Sequence, residues 1–210
     1  ATGLGVDKSR VRTTTRDLIL APETAVDSRH ATAVDNLHII VGDRSLIGLE
    51  QEMLRQLGRE RRMKEALEPL LPHYDIVLID TPPSLGLVTI NALVASDGII
   101  IPVQTEYFAL EGLALLAGTV REVRSLLNGD LGVDGVLMTM HSQTLLNQQV
   151  AGELLESFPE LVVKPAIRRN VRLAEAPSHG VPIHLHDPSS AGGKDYQDIA
   201  TVLERRWGLA

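Results

Sequence analysis

The chain has 210 residues, 44% hydrophobic and 22% charged, with a net charge of −7 and no cysteine. That length gives one domain over residues 1–210, or one with a small appendage, with a sizeable core, and the composition is that of an ordinary globular protein. The missing cysteines exclude disulfides, thiolate catalysis and Cys-based zinc sites and fit a cytosolic setting. The acidic balance excludes nucleic-acid binding through overall charge, leaving only a local basic patch.

Residues 1–36 read as polar loop with a short helix over 16–20, and the bare Gly3-Leu4-Gly5 carries no weight without a strand before it and a helix after it. An apolar strand over 37–41 closes at Gly42-Asp43. Leu46, Leu49, Met53 and Leu57 follow at helical spacing, with Gly58 as the break. A second helix runs through Met63, Leu67 and Leu70 to Pro72. Arg59, Arg61, Arg62 and Lys64 alternate with Glu60, Glu65 and Glu68, the pattern of a solvated helix face rather than a nucleic-acid patch.

Residues 76–79 form an unbroken apolar run, rich in β-branched side chains and too short for a typical helix. It predicts a strand buried on both faces, as inside a parallel sheet. Asp80 follows at once, and Thr81-Pro82-Pro83 then forbids both strand pairing and an immediate helix. Two readings of Asp80 stand side by side: a turn cap, or a functional acid in the crevice outside the carboxyl end of a strand. The second is also the pattern of the acid near Mg2+ in P-loop nucleotide hydrolases.

Further on, the spacing predicts a helix over 85–95 and a strand over 99–103 with Gln104-Thr105-Glu106 at its carboxyl end. A long helix then carries Leu110, Leu113, Ala117, Val120 and Leu127 on one face and ends at Asn128-Gly129. Strands over 136–140 and 161–167 flank a helix marked by Leu146, Val150, Leu154 and Phe158. A short edge strand over 183–185 and a last helix bearing Tyr196, Ile199, Leu203 and Trp207 complete the chain. This alternation calls for an α/β fold, a mostly parallel sheet with helices on both faces.

A nucleotide hydrolase needs a phosphate cradle of the form G-x-x-x-x-G-K-[ST], and these 210 residues contain none. Gly192-Gly193-Lys194-Asp195 imitates it but has Asp195 at the hydroxyl position and Pro188 at the first glycine, so it reads as a turn into the last helix. His184 and His186 share one side of an extended segment, but without a third ligand nearby they read as a surface pair rather than a metal site. Ser84, Ser142 and Ser178 lack a nucleophile elbow.

Four stretches carry a resemblance: Ala1-Thr2-Gly3-Leu4-Gly5-Val6, YDIVLIDTPPSLGLVTIN at 74–91, PVQTEYFALEG at 102–112 and RNVRLAEAPSHG at 169–180. Through them nearly all of the chain resembles the ParA/Soj-type chromosome and plasmid partitioning ATPases, P-loop proteins with a deviant Walker A motif. The resemblance implies a P-loop NTPase-like fold with ATP and Mg2+ as cofactors, and Asp80 as the acid near Mg2+ and the attacking water. Pro102, Gln104 and Glu106 would lie beside the nucleotide, Asn170 to Pro177 would pass the adenine base, and Arg172 would touch DNA phosphates. It also implies ATP-dependent dimerisation on nonspecific DNA, hydrolysis stimulated by a ParB-type centromere-binding partner, and a cytoplasmic, nucleoid-associated location without membrane contact.

The departures are equally specific. In the family a βαβ unit of roughly 30 or more residues bearing the P-loop precedes the Ala1-Thr2-Gly3 segment, and the expectation is that it is missing here, with one or two central strands. The family's tyrosine-aspartate-x-arginine-threonine loop is His141-Ser142-Gln143-Thr144 here, and Val181, Ser189 and Ala191 stand where relatives carry basic residues. Each lost phosphate contact weakens nonspecific DNA binding. Three readings follow: a partitioning ATPase seen without its first segment, a catalytically inactive binding or dimerisation module, and an unrelated α/β enzyme sharing the sheet.

Overall fold

The computed structural model describes residues 1–209. They divide into two compact units, 1–97 with 119–131, and 98–118 with 132–209.

In the first unit, the segment Ala1 to Val6 closes a tight 3-10 turn, with Gly5 at φ 73° supplying the left-handed residue that ends it. Helix α1 (Thr15–Leu20) begins where the Thr14 backbone N–H donates to the Asp17 carboxylate at 2.8 Å, half of a capping box. A two-residue antiparallel pair, β1 (His30–Ala31) with β2 (His38–Ile39), lies where loop and a longer strand over 37–41 were expected. Helices α2 (Leu46–Met53) and α3 (Arg62–Leu67) flank Gly58, which breaks them at φ 68°. Leu18, Ile19, Leu49, Met53, Ala66 and Leu70 form the core of this unit, closed by Ala92 on α4 (Leu87–Ala95).

Buried Asn91 ties α4 to its neighbours. Its amide donates to the carbonyls of Arg59 and Leu87 at 2.8 and 3.0 Å, and its Oδ1 accepts the Met63 N–H at 3.0 Å. The run Arg59 to Lys64 behaves as its interleaved charges suggest, with Arg59–Glu60 and Arg62–Glu65 pairs at 2.9 and 3.4 Å.

Residues 76–79 depart from expectation. They are not part of a ladder, and residues 75–80 have no backbone hydrogen bond within the described residues. Ile76, Val77 and Leu78 are exposed, Leu78 to 77%, while Ile79 packs on the first core. The side chains have the chemistry of a central strand, but among the described residues no neighbouring strand presents an edge to them.

The second unit carries the parallel sheet, β3 (Gly98–Gln104), β4 (Gly132–Thr139) and β5 (Val162–Val163), in the order β3-β4-β5. Val103, Val136, Met138 and Leu154 fill one face beneath α5 (Ala109–Leu126) and α6 (Leu145–Ser157). Leu137, Val163, Ile167, Ile199 and Leu203 fill the other, the last two from α9 (Ala191–Arg206). Helices on both faces of a parallel sheet are the arrangement the alternating pattern required. Asp134 is the extra residue of a β-bulge opposite β3, its carboxylate lies over Gly98, and its Oδ2 accepts the Trp207 indole N–H at 3.0 Å.

The expected edge strand over 183–185 is instead a helical turn, α8 (Ile183–His186), which follows α7 (Val171–Glu175) and a 3-10 turn over Ala176–His179. Pro182 precedes its first residue, and the amides of Leu185, His186 and Asp187 bond back to Pro182 and Ile183. The apolar pair Ile183 and Leu185 misled the periodicity because three residues cannot distinguish a period of 2 from one of 3.6.

Candidate functional site at the carboxyl ends of the parallel strands

In an open parallel sheet the carboxyl ends of the strands are where ligands bind. Here hydrogen bonds continue beyond the strands proper: Thr105 N–H to the Thr139 carbonyl at 3.4 Å, His141 N–H to Ile167 at 3.0 Å, and Arg169 N–H to His141 at 2.9 Å. Buried Thr105 also places its hydroxyl 3.4 Å from His141 Nδ1. The three loops that follow β3, β4 and β5 are thereby fixed to one another as a rim.

Pro102, Gln104 and Glu106 stand together on that rim and line an open groove of about 720 Å³ between β3, α5 and the start of α6. Asn170, at the end of the same rim, caps α7 through an Oδ1 that accepts the Arg172 N–H at 2.8 Å. Pro177 is exposed in the 3-10 turn that Gly180 closes at φ 69°. Arg172 is held by two carboxylates, Glu175 at 2.8 Å and Asp187 at 3.5 Å. That pairing holds the Glu175 carboxyl below its ordinary pKa. Asp80 is exposed in the other unit and has no hydrogen-bond partner among the described residues.

Arg168, and Asp195 from the phosphate-loop imitation, hold the rim in place. The Arg168 guanidinium grips Asp195 with Nη2–Oδ1 at 2.7 Å and Nε–Oδ2 at 2.9 Å, and the Arg168 backbone N–H adds a bond at 3.0 Å. Burial opposes ionisation of Asp195, yet the Arg168 bonds prevail and its pKa lies below the ordinary value. Nothing local announces this pair, because 27 positions separate its members.

A phosphate and its Mg2+ find no cradle in the described residues. Gly192 and Gly193 lie in the first turn of α9, after the Ser190 cap, rather than in a turn before it. A Cβ on Gly192 would meet Leu173 at 2.7 Å, and one on Gly193 the Asp187 carbonyl at 2.6 Å. Their smallness serves packing. No group of three His, Asp or Glu side chains suited to a metal occurs among the described residues.

Comparison with known proteins decides the family. A family model described as an AAA domain matches residues 1–133. The sporulation initiation inhibitor protein Soj of Bacillus subtilis is 49% identical over 199 residues, spanning 94% of this chain and 79% of Soj. The chain belongs to the ParA/Soj family of partitioning ATPases. The chromosome partitioning protein ParA of Myxococcus xanthus is 40% identical over 205 residues, covering 97% of this chain and 72% of that protein. Among solved structures, cobyrinic acid a,c-diamide synthase from Mycobacterium smegmatis with bound ADP and magnesium superposes with a TM-score of 0.82. It is 28% identical, and the match covers 98% of this chain and 76% of that one. As a ParA/Soj relative the chain has the α/β architecture its sequence called for. No helix among the described residues is long and apolar enough to cross a membrane.

Proposed function

We propose that this ParA/Soj relative is a partitioning ATPase of one α/β domain that takes ATP and Mg2+, dimerises on nonspecific DNA and answers to a ParB-type partner during chromosome or plasmid segregation. The reading places it in the cytoplasm, at the nucleoid. The single observation that carries it is the joined rim, which holds Gln104 and Glu106 at the carboxyl end of β3 and Asn170 beyond β5, on either side of β4. Asn170, Pro177 and the segment between them would receive the adenine base, while Pro102, Gln104 and Glu106 would border the nucleotide. Asp80 would act on the attacking water and indirectly on Mg2+. Arg172 would reach DNA phosphates after exchanging its carboxylate partners. The phosphates would need a cradle that these 210 residues do not contain.

That last point supports a second reading, a catalytically inactive binding and dimerisation module. Calorimetry of the 210-residue chain with adenosine, ADP and ATP, with and without Mg2+, separates the two levels of the proposal. Adenosine and ATP should bind alike, weakly and independently of Mg2+, with hydrolysis at background. Failure of adenosine to bind a folded chain removes the base-binding rim. Tight, Mg2+-dependent ATP binding that Asp80→Ala abolishes would show that these residues cradle phosphate after all.

A further inference from the structure

Beyond β5, between α7 and α9, one carboxylate oxygen faces two basic side chains. Glu175 Oε2 accepts a hydrogen bond from Arg172 Nη1 at 2.8 Å, and the same oxygen lies 3.8 Å from His186 Nε2. The His186 ring is stacked on that of exposed His179, with centroids 4.7 Å apart. Asp187, the second carboxylate on Arg172, stands at 3.5 Å. It is tied to its own loop, because its Oδ1 accepts from the Ser189 hydroxyl at 2.9 Å and the Ser190 N–H at 3.0 Å. The other charged groups nearby are committed or exposed. Packed on α7 and α8, α9 brings Asp195, which Arg168 already holds, with exposed Lys194 and Asp198. His184, on the same turn as His186, is exposed and forms no ion pair among the described residues.

A neutral imidazole at 3.8 Å makes no hydrogen bond with Glu175, so Arg172 keeps the carboxylate. Once protonated, His186 donates from Nε2, and its charge competes with the guanidinium for the one oxygen. The two cations also repel each other. Exposure decides which of them gives way: the Arg172 side chain is 52% exposed and that of His186 only 17%, so Arg172 is the one that can leave for water. The stacked His179 ring limits this step to one proton, since a second charge so close would be opposed by the first.

We propose that His186 is a positioning residue that acts on Arg172 through Glu175: with His186 neutral the carboxylates hold Arg172, and protonation of His186 engages Glu175 and releases the guanidinium to a DNA phosphate. The proposal rests on the reading of Arg172 as a DNA contact and adds the condition under which that contact is free.

Two measurements on the 210-residue chain test it, from about pH 8 to about pH 5.5 at constant ionic strength. The first needs no DNA. It follows the Arg172 side-chain Nε–H signal in proton–nitrogen NMR, assigned by its loss in Arg172→Ala. That signal should titrate in the histidine range in the wild type and stay put in His186→Gln. The second is binding of a fluorescein-labelled nonspecific duplex. Acidification should strengthen wild-type binding about threefold more than that of His186→Gln, the scale of one exposed ion pair. Glu175→Gln should bind more tightly at the alkaline end and lack that extra rise. Circular dichroism checks each variant, and Glu175→Gln, an isosteric change at a partly exposed side chain, keeps the test if His186→Gln does not fold. An Arg172 signal indifferent to pH, or one that titrates equally in folded His186→Gln, would overturn the switch and leave the DNA reading intact. A titrating signal with DNA binding that Arg172→Ala leaves unchanged at every pH would overturn the DNA reading, and the release to phosphate with it.

Discussion

The side chains that matter most at the rim are held by ionic pairs of unequal exposure. Asp195 is buried, whereas Arg168 is half in water, so the pair secures the loop after β5 without burying a lone charge. Asp195→Asn should cost about 2 kcal/mol, the scale of a hydrogen bond to a charged group. Because the folded pKa of Asp195 lies below the ordinary value, its contribution is complete above about pH 4 and is lost as pH falls through the folded pKa. The gap between wild type and Asp195→Asn in urea midpoints should therefore be constant near neutrality and close on acidification. At Arg172 the two carboxylates compete with any phosphate. On the proposed function, Arg172→Ala should weaken DNA binding about equally across sequences and lower the slope of log K against log salt by about 1. Glu175→Gln should shift retention on DNA the other way, read by filter binding over a salt series.

Elements divide into those whose residues announced them and those whose neighbours decided them. Helices α2, α4, α5, α6 and α9 were legible from their apolar spacing, and strands β3 and β4 from short apolar runs of strand length. The stretch over 76–79 was read as a buried strand from side-chain chemistry alone, but burial is a property of what surrounds a segment. In the same way Arg168 with Asp195 and Asn91 with Arg59 and Met63 join positions too far apart for any local pattern. Asn91→Ala should cost about 2–3 kcal/mol in urea unfolding, since it leaves a buried N–H and buried carbonyls without partners. Leu78→Lys, at an exposed and unpaired position, should change stability by no more than about 0.5 kcal/mol while reducing aggregation measured by light scattering.

At the scale of the whole molecule, similarity to Soj and ParA spans both units. Family membership was legible because the matching motifs are long. What those motifs do in this chain depends on groups that only the fold assembles: the continued ladder at Thr105 and His141, and the filled first turn of α9.

The hydrogen bond from Trp207 to Asp134 has a further consequence. Trp207 is the chain's single indole, and it belongs to the unit that carries the parallel sheet. Its emission is therefore an optical readout of that unit alone, while far-ultraviolet ellipticity sums the helices of both. A heating scan recorded in the two channels should give one shared midpoint if the units melt together, as a single domain requires. Separate midpoints would reveal which half of the molecule gives way first, with no label attached to either.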